Sequence, residues 1–276
     1  MAKGIGLIGN FRGKVGNMVG YNLKDSNNKQ TQGVRVYQPV VKNPKTYGQA
    51  QQRAKLAPVN VTYRALKGII DRGQESKRYG NKCRLAWLKD ALKAFDGGWF
   101  EKGAVITAPA LVPLTKGSLP NLFPVASNAD NCVITFATAA AQAPATIGDL
   151  STAIKTNFPQ VEDGDQITFV DIHSTANGIE VSVESIVIDT TSTASIPAAF
   201  TAATGSLTYA PNGANMAAGA IILSREGDAG QHLRSTTAIQ QAKGYNADLL
   251  ADAAQEAATK SYMAGSTTSD WPEEKV

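Results

Sequence analysis

The chain has 276 residues, 43% of them hydrophobic and 18% charged, with a formal net charge of +4. That apolar fraction excludes wholesale disorder, and no stretch approaches the roughly 18 uninterrupted apolar residues of a membrane-spanning helix. The modest net charge hides a split: residues 1–103 carry 20 Lys+Arg against 6 Asp+Glu, whereas residues 104–276 carry 7 against 17. A basic front third of this kind points to a polyanionic or acidic partner at that end of the molecule.

In chain order, the start lacks the apolar run of a signal peptide, so cytoplasmic synthesis without a membrane anchor is expected. Glycine stands at positions 4, 6, 9, 13, 16 and 20, interleaved with Ile5, Leu7, Ile8, Phe11, Val15, Met18 and Val19. Such a run makes a poor helix and suits an arm ordered by packing on something else. Residues 14–21 and 34–40 predict two strands of a β-hairpin around the polar turn 24–30. Asn43-Pro44-Lys45-Thr46 opens a helix, with Thr46 and Gln49 spaced as a capping box. Ala50, Ala54, Ala57, Val61 and Ala65 continue it, and Pro58 is expected to kink or split it. A second helix over 76–95 sets Leu85, Leu88, Leu92 and Phe95 on one face and ends at Gly97-Gly98.

Beyond residue 103 the character changes. Pro109, Pro113, Pro120 and Pro124 mark an extended linker or edge strand. Residues 131–136, 166–172 and 179–187 predict strands, the last two joined through Asn177-Gly178. Residues 217–224 and 233–239 predict a closing pair across Gly227-Asp228, and alternating short strands of this sort argue for a β-sandwich. Thr146 to Asn157 predicts a short helix with Thr146 and Asp149 as its capping pair. Asn246 to Lys260 predicts an Ala-rich helix before a disordered tail.

No nucleophile elbow, phosphate-binding loop, dinucleotide fingerprint or zinc quartet is present. Cys83 and Cys132 fit no metal or redox spacing, and His173 and His232 are isolated. Glu162, Asp163 and Asp165 around Gly164 lack the ligand ladder of a calcium loop and predict a solvated turn. No catalytic residue, cofactor or metal is therefore expected. The chemistry-bearing candidates are interaction residues: Ile5, Leu7, Ile8 and Phe11 in the arm, and Lys77, Arg78, Lys82, Arg84 and Lys89 on a basic surface. Those cations suit either phosphates or an acidic protein. In the protein case, Tyr47, Tyr63 and Trp87 are the expected buried contacts.

Three segments also carry a resemblance. Gly13-Lys14-Val15-Gly16-Asn17-Met18-Val19-Gly20-Tyr21, then Lys42-Asn43-Pro44-Lys45-Thr46 with Gln49, Gln52 and Arg53, then Arg84-Leu85-Ala86-Trp87 together resemble a family of bacteriophage and phage-associated bacterial proteins without established activity. In that family a β-rich, often immunoglobulin-like region follows, and residues 221–225 and 233–236 resemble its closing strands. The likeness covers residues 4–95 and the end of the β region; the middle and the Ala-rich tail after residue 245 depart from it. It implies a virion setting and no catalytic residues.

Together these readings give an α+β chain. A hairpin-plus-helices module over 1–103 precedes an antiparallel Ig-like β-sandwich over 104–242 and an Ala-rich helix and tail over 243–276. The expected role is a non-enzymatic structural component of a phage virion, made in the host bacterial cytoplasm. It would form a homo-oligomer and contact capsid, portal or tail proteins; nonspecific DNA binding by the basic third is the alternative.

Overall fold

A computed structural model describes residues 13–24, 30–37, 46–77, 79–213, 216–227, 230–243 and 245–263. The arm candidates Ile5, Leu7, Ile8 and Phe11, the basic candidate Arg78 and the tail beyond residue 263 lie outside the described residues. The fold is α+β with antiparallel ladders between its strands, and the chain divides into two compact units, Met1–Lys45 and Thr46–Val276.

In the first unit, β1 (Gly13–Val15), β2 (Met18–Lys24) and β3 (Gln30–Val36) form a three-stranded meander. Residues 14–21 thus do not run as one strand. Gly16 takes φ +57°, a left-handed value most side chains resist, and this permits the tight turn at Gly16-Asn17 that pairs Val15 with Met18. Lys14 sits over the Tyr37 ring, with Nζ 3.6 Å from its centroid, an attraction to the negative ring face.

The second unit opens with α1 (Tyr47–Ala65), capped by the Thr46 hydroxyl, which accepts from the Gln49 N–H. Pro58 lies within α1 and does not end it. The proline forfeits one backbone hydrogen bond, but its ring is buried among Ala54, Val59 and Thr62 on the packed face. A single helical turn, α2 (Lys67–Ile70), leads to α3 (Asn81–Lys93). The segment after α3 is not an exposed linker: Ala108, Ala110, Val112 and Leu114 are all buried. It includes β4 (Pro113–Thr115), and proline is tolerated there as the first residue of a strand.

Next come β5 (Cys132–Thr135), α4 (Ile147–Asn157), β6 (Gln166–Thr175) and β7 (Gly178–Val187). The capping box of α4 forms in full, Thr146 and Asp149 each satisfying the other's backbone donor. A hairpin of β8 (Phe200–Ala203) and β9 (Ser206–Tyr209) follows, then β10 (Met216–Glu226), β11 (His232–Arg234), β12 (Thr237–Ala238) and β13 (Gln240–Gln241). After a 3-10 turn at Ala247–Leu250 the described chain closes with α5 (Asp252–Met263).

The central sheet runs β11-β10-β6-β7, with β13 also on β10. Strand β10 is buried from Met216 to Leu223 without alternation, the mark of a strand covered on both faces. On one face Ile167, Phe169, Ile221 and Leu223 pack with Leu150 and Ile154 of α4 and with Cys132, Ile134, Phe200, Leu207 and Tyr209 of the β5-β9-β8 sheet. This is the expected sandwich of antiparallel sheets. On the other face Val170, Ile172, Ala218, Ala220 and Ile222 pack with Ala54 and Val59 of α1, Trp87 and Ala91 of α3, and Ala258 of α5. The charge boundary at 103/104 is therefore not a packing boundary, because residues from both sides of it share one core. The Ala-rich α5 is likewise part of that core rather than an appendage: its small side chains allow close approach to α1.

Candidate interaction surface

The basic candidates gather around α3. Its buried line is Cys83, Trp87 and Ala91, at the i, i+4, i+8 spacing of one helix face. The expected Leu85–Leu88–Leu92–Phe95 face is rotated. Phe95 lies in the core and Leu88 and Leu92 pack against it, but Leu85 is 57% exposed. Trp87 sets that rotation. Its indole N–H donates to the Pro113 carbonyl at 2.7 Å, and its ring lies 5.9 Å from that of Tyr63. Being 1% exposed, Trp87 is a core anchor and not a docking contact, which corrects the sequence reading.

Lys82 and Lys89 are exposed on α3 and, at i−3 and i+4 from Leu85, share its face. Neither forms an ion pair among the described residues. Lys77, in the preceding loop, is exposed as well. Arg84 differs: it is half-buried, and its guanidinium carbon lies 4.8 Å from the Tyr63 ring centroid. The Tyr63 hydroxyl in turn donates to Asp71 at 2.9 Å, and Lys67 pairs with the same carboxylate. Burial opposes the charged form of Asp71, but the Lys67 and Tyr63 hydrogen bonds outweigh it and hold the carboxyl below its usual range. Arg84 is thus committed to an internal network, while Lys77, Lys82, Lys89 and Leu85 remain available at the surface.

The first unit presents an apolar face that the sequence reading missed. Met18, Val34 and Val36 are all exposed. Met18 pairs across the ladder with Val36, and Val34 lies two residues before Val36 on β3, so all three share one side of the meander. The signal was the Val34-Arg35-Val36 alternation.

The acidic loop at 162–165 is committed to cations. Asp165 is 1% exposed and accepts from Arg225 Nε at 2.7 Å and Nη2 at 2.8 Å, and from the Glu162 N–H at 2.9 Å. Glu162 accepts from Arg225 Nη1 at 2.6 Å and Asp163 from Lys155 at 2.6 Å.

A buried titratable group was not foreseen. Asp171 of β6 is fully buried, and neither carboxyl oxygen has a hydrogen-bond partner among the described residues. Its cross-strand partner is Gly219, where a Cβ would come within 2.6 Å of Cys132 Sγ and 2.7 Å of Met216 Sδ; only glycine fits that approach. The titratable neighbours are His173, Cys132 and Tyr209, with Glu184 facing Tyr209. Burial raises the Asp171 carboxyl above the usual aspartate range, with His173 opposing. Burial first, then the Asp171 charge, pushes the Cys132 thiol up to about 12, so it stays a thiol at neutral pH and is a poor nucleophile.

The sign of the Asp171 effect is fixed by its raised folded-state pKa. The favourable protonated form is fully populated below the unfolded-state value and is lost as pH rises through the folded-state value. Asp171→Asn should therefore gain stability relative to wild type from about pH 4 upward, by at most about 1.4 kcal/mol per pH unit. Urea unfolding of both proteins across that range checks this; a difference independent of pH would contradict it.

Compared with models of protein families, with curated proteins and with solved structures, the chain matches none.

Proposed function

We propose that the chain is a non-enzymatic structural component of a bacteriophage particle, present in multiple copies and docked on acidic protein surfaces through its basic N-terminal third. The observation that carries the docking is Leu85, exposed on α3 between Lys82 and Lys89. Burial of its exposed part against a partner would gain about 1–2 kcal/mol, and the flanking ammonium groups favour an acidic rim. The exposed Met18, Val34 and Val36 offer a second apolar face for a neighbour in the assembly. The particle setting rests on the resemblance of Gly13–Tyr21, Lys42–Arg53 and Arg84–Trp87. Its partners would be capsid, portal or tail proteins and further copies of the chain.

Nonspecific DNA contact by the same surface is the competing outcome. Filter binding of the full chain to duplex DNA separates the two. Docking on protein predicts only weak DNA affinity at about 150 mM salt, in the ordinary nonspecific range. Submicromolar binding there, with log affinity falling by about 0.9 per neutralised phosphate for each log unit of salt, would overturn the docking proposal. Charge reversal at Lys82 and Lys89 should leave the fold intact, because both side chains are exposed.

A further inference from the structure

A cleft of about 420 Å³ opens in the second unit between the loop after α2 and the β10–β11 hairpin. Three arginines line it: Arg72, Arg225 and Arg234. Arg225 is already neutralised by Asp165 and Glu162 and also donates to the Gln160 carbonyl. Arg72 and Arg234 are not: neither guanidinium has a carboxylate partner among the described residues. The two acids of that loop are engaged elsewhere: Asp71 is held by Tyr63 and Lys67, and the Glu75 carboxylate accepts from Ser118 and from the Arg234 main-chain N–H. Arg234 is half-buried. Burial lowers the Arg234 pKa from its ordinary value; Tyr79 opposes this, and the charge of Arg72 adds a smaller push downward.

Two like charges sharing a partly desolvated cleft are costly unless an anion joins them. The rest of the lining is suited to that anion. Tyr79 brings a hydroxyl donor, and the His232 imidazole lies against the Tyr79 ring at 5.7 Å. Glu226, exposed at the rim, is the single carboxylate on the lining among the described residues.

We propose that this cleft binds a phosphate group, held between Arg72 and Arg234 with Tyr79 and His232 as further donors. Phosphate suits it better than a carboxylate on charge: a phosphomonoester carries about −1.5 to −2 at neutral pH, matching two guanidiniums, while a carboxylate offers one. Its oxygens also accept the forked N–H pairs that arginine presents. This site is distinct from the Leu85 face and stands or falls separately from it. A free phosphate ester and a terminal phosphate on nucleic acid share this chemistry.

The test is calorimetric titration of the full chain with inorganic pyrophosphate at fixed ionic strength, with sodium chloride making up the balance. Saturable binding is expected, weakened at least tenfold by Arg72→Gln and by Arg234→Gln. Arg72 is exposed, so its variant keeps the test informative if Arg234→Gln fails to fold. Competition of pyrophosphate by a short 5′-phosphorylated oligothymidylate would support the site and assign it to nucleic acid. Binding of pyrophosphate without such competition would support the site and assign it to a free ester. No saturable binding beyond the chloride control, unchanged affinity in Arg72→Gln, or tighter binding of polyglutamate than of pyrophosphate would overturn the proposal.

Discussion

Trp87→Ala should destabilise the protein by about 3–5 kcal/mol, a large share of the roughly 5–15 kcal/mol that holds a typical domain together. The indole fills the space between α1, α3 and β4, packed with Val59, Leu66, Val112 and Leu114. Truncation leaves a void lined by residues drawn from both halves of the charge distribution. Trp87→Phe keeps most of that volume but strands the Pro113 carbonyl, for a smaller loss of about 1–3 kcal/mol. Urea midpoints read by far-ultraviolet circular dichroism check both. A loss under about 1 kcal/mol for the alanine variant would mean that the helices do not share a core with the sheet.

Arg225→Met is expected to cost about 3–5 kcal/mol, because removing one partner of a buried ion pair leaves the other charge uncompensated. Asp165 loses two of its three hydrogen bonds in that variant. The companion change distinguishes this cause from simple loss of packing. Arg225→Met combined with Asp165→Leu should recover most of the loss, since a well-packed apolar pair can replace a buried salt bridge at little cost. Thermal unfolding of the three variants measures the coupling, and additive losses would contradict it.

The strands over 166–172 and 179–187, the α4 helix and the Thr46 and Thr146 caps were legible because their signals are local: alternation, β-branched residues, and an oxygen three residues from an orphan N–H. The β8–β9 hairpin was not. Ser206-Leu207-Thr208-Tyr209 alternates, with Leu207 and Tyr209 buried, but over four residues only, and Phe200-Thr201-Ala202-Ala203 offers a single large apolar side chain to mark its partner strand. The face of α3 was misread because leucines were weighted above Cys83 and Ala91, although small buried residues let Trp87 reach the sheet. The Pro-punctuated segment after α3 resembled a linker, yet its backbone is satisfied by distant groups, such as the Thr62 hydroxyl accepting from the Ala110 N–H at 2.9 Å.

Of the surface candidates, Lys77, Lys82 and Lys89 could be named from charge alone. Arg84 was misassigned because its stacking on Tyr63 depends on how two helices meet. The pairing of Arg72 with Arg234 and the isolation of Asp171 were invisible for the same reason. Each depends on residues far apart in sequence, and nothing within a local window marks them.

Quantitative mass spectrometry of purified particles, with wild-type and Leu85→Glu chains expressed in parallel, decides whether the chain is a particle component docked through Leu85. The wild-type chain is expected at several copies per particle, and the Leu85→Glu chain is expected to fold normally but to be depleted at least tenfold. Absence of the wild-type chain from particles, or equal incorporation of the variant, would contradict that role.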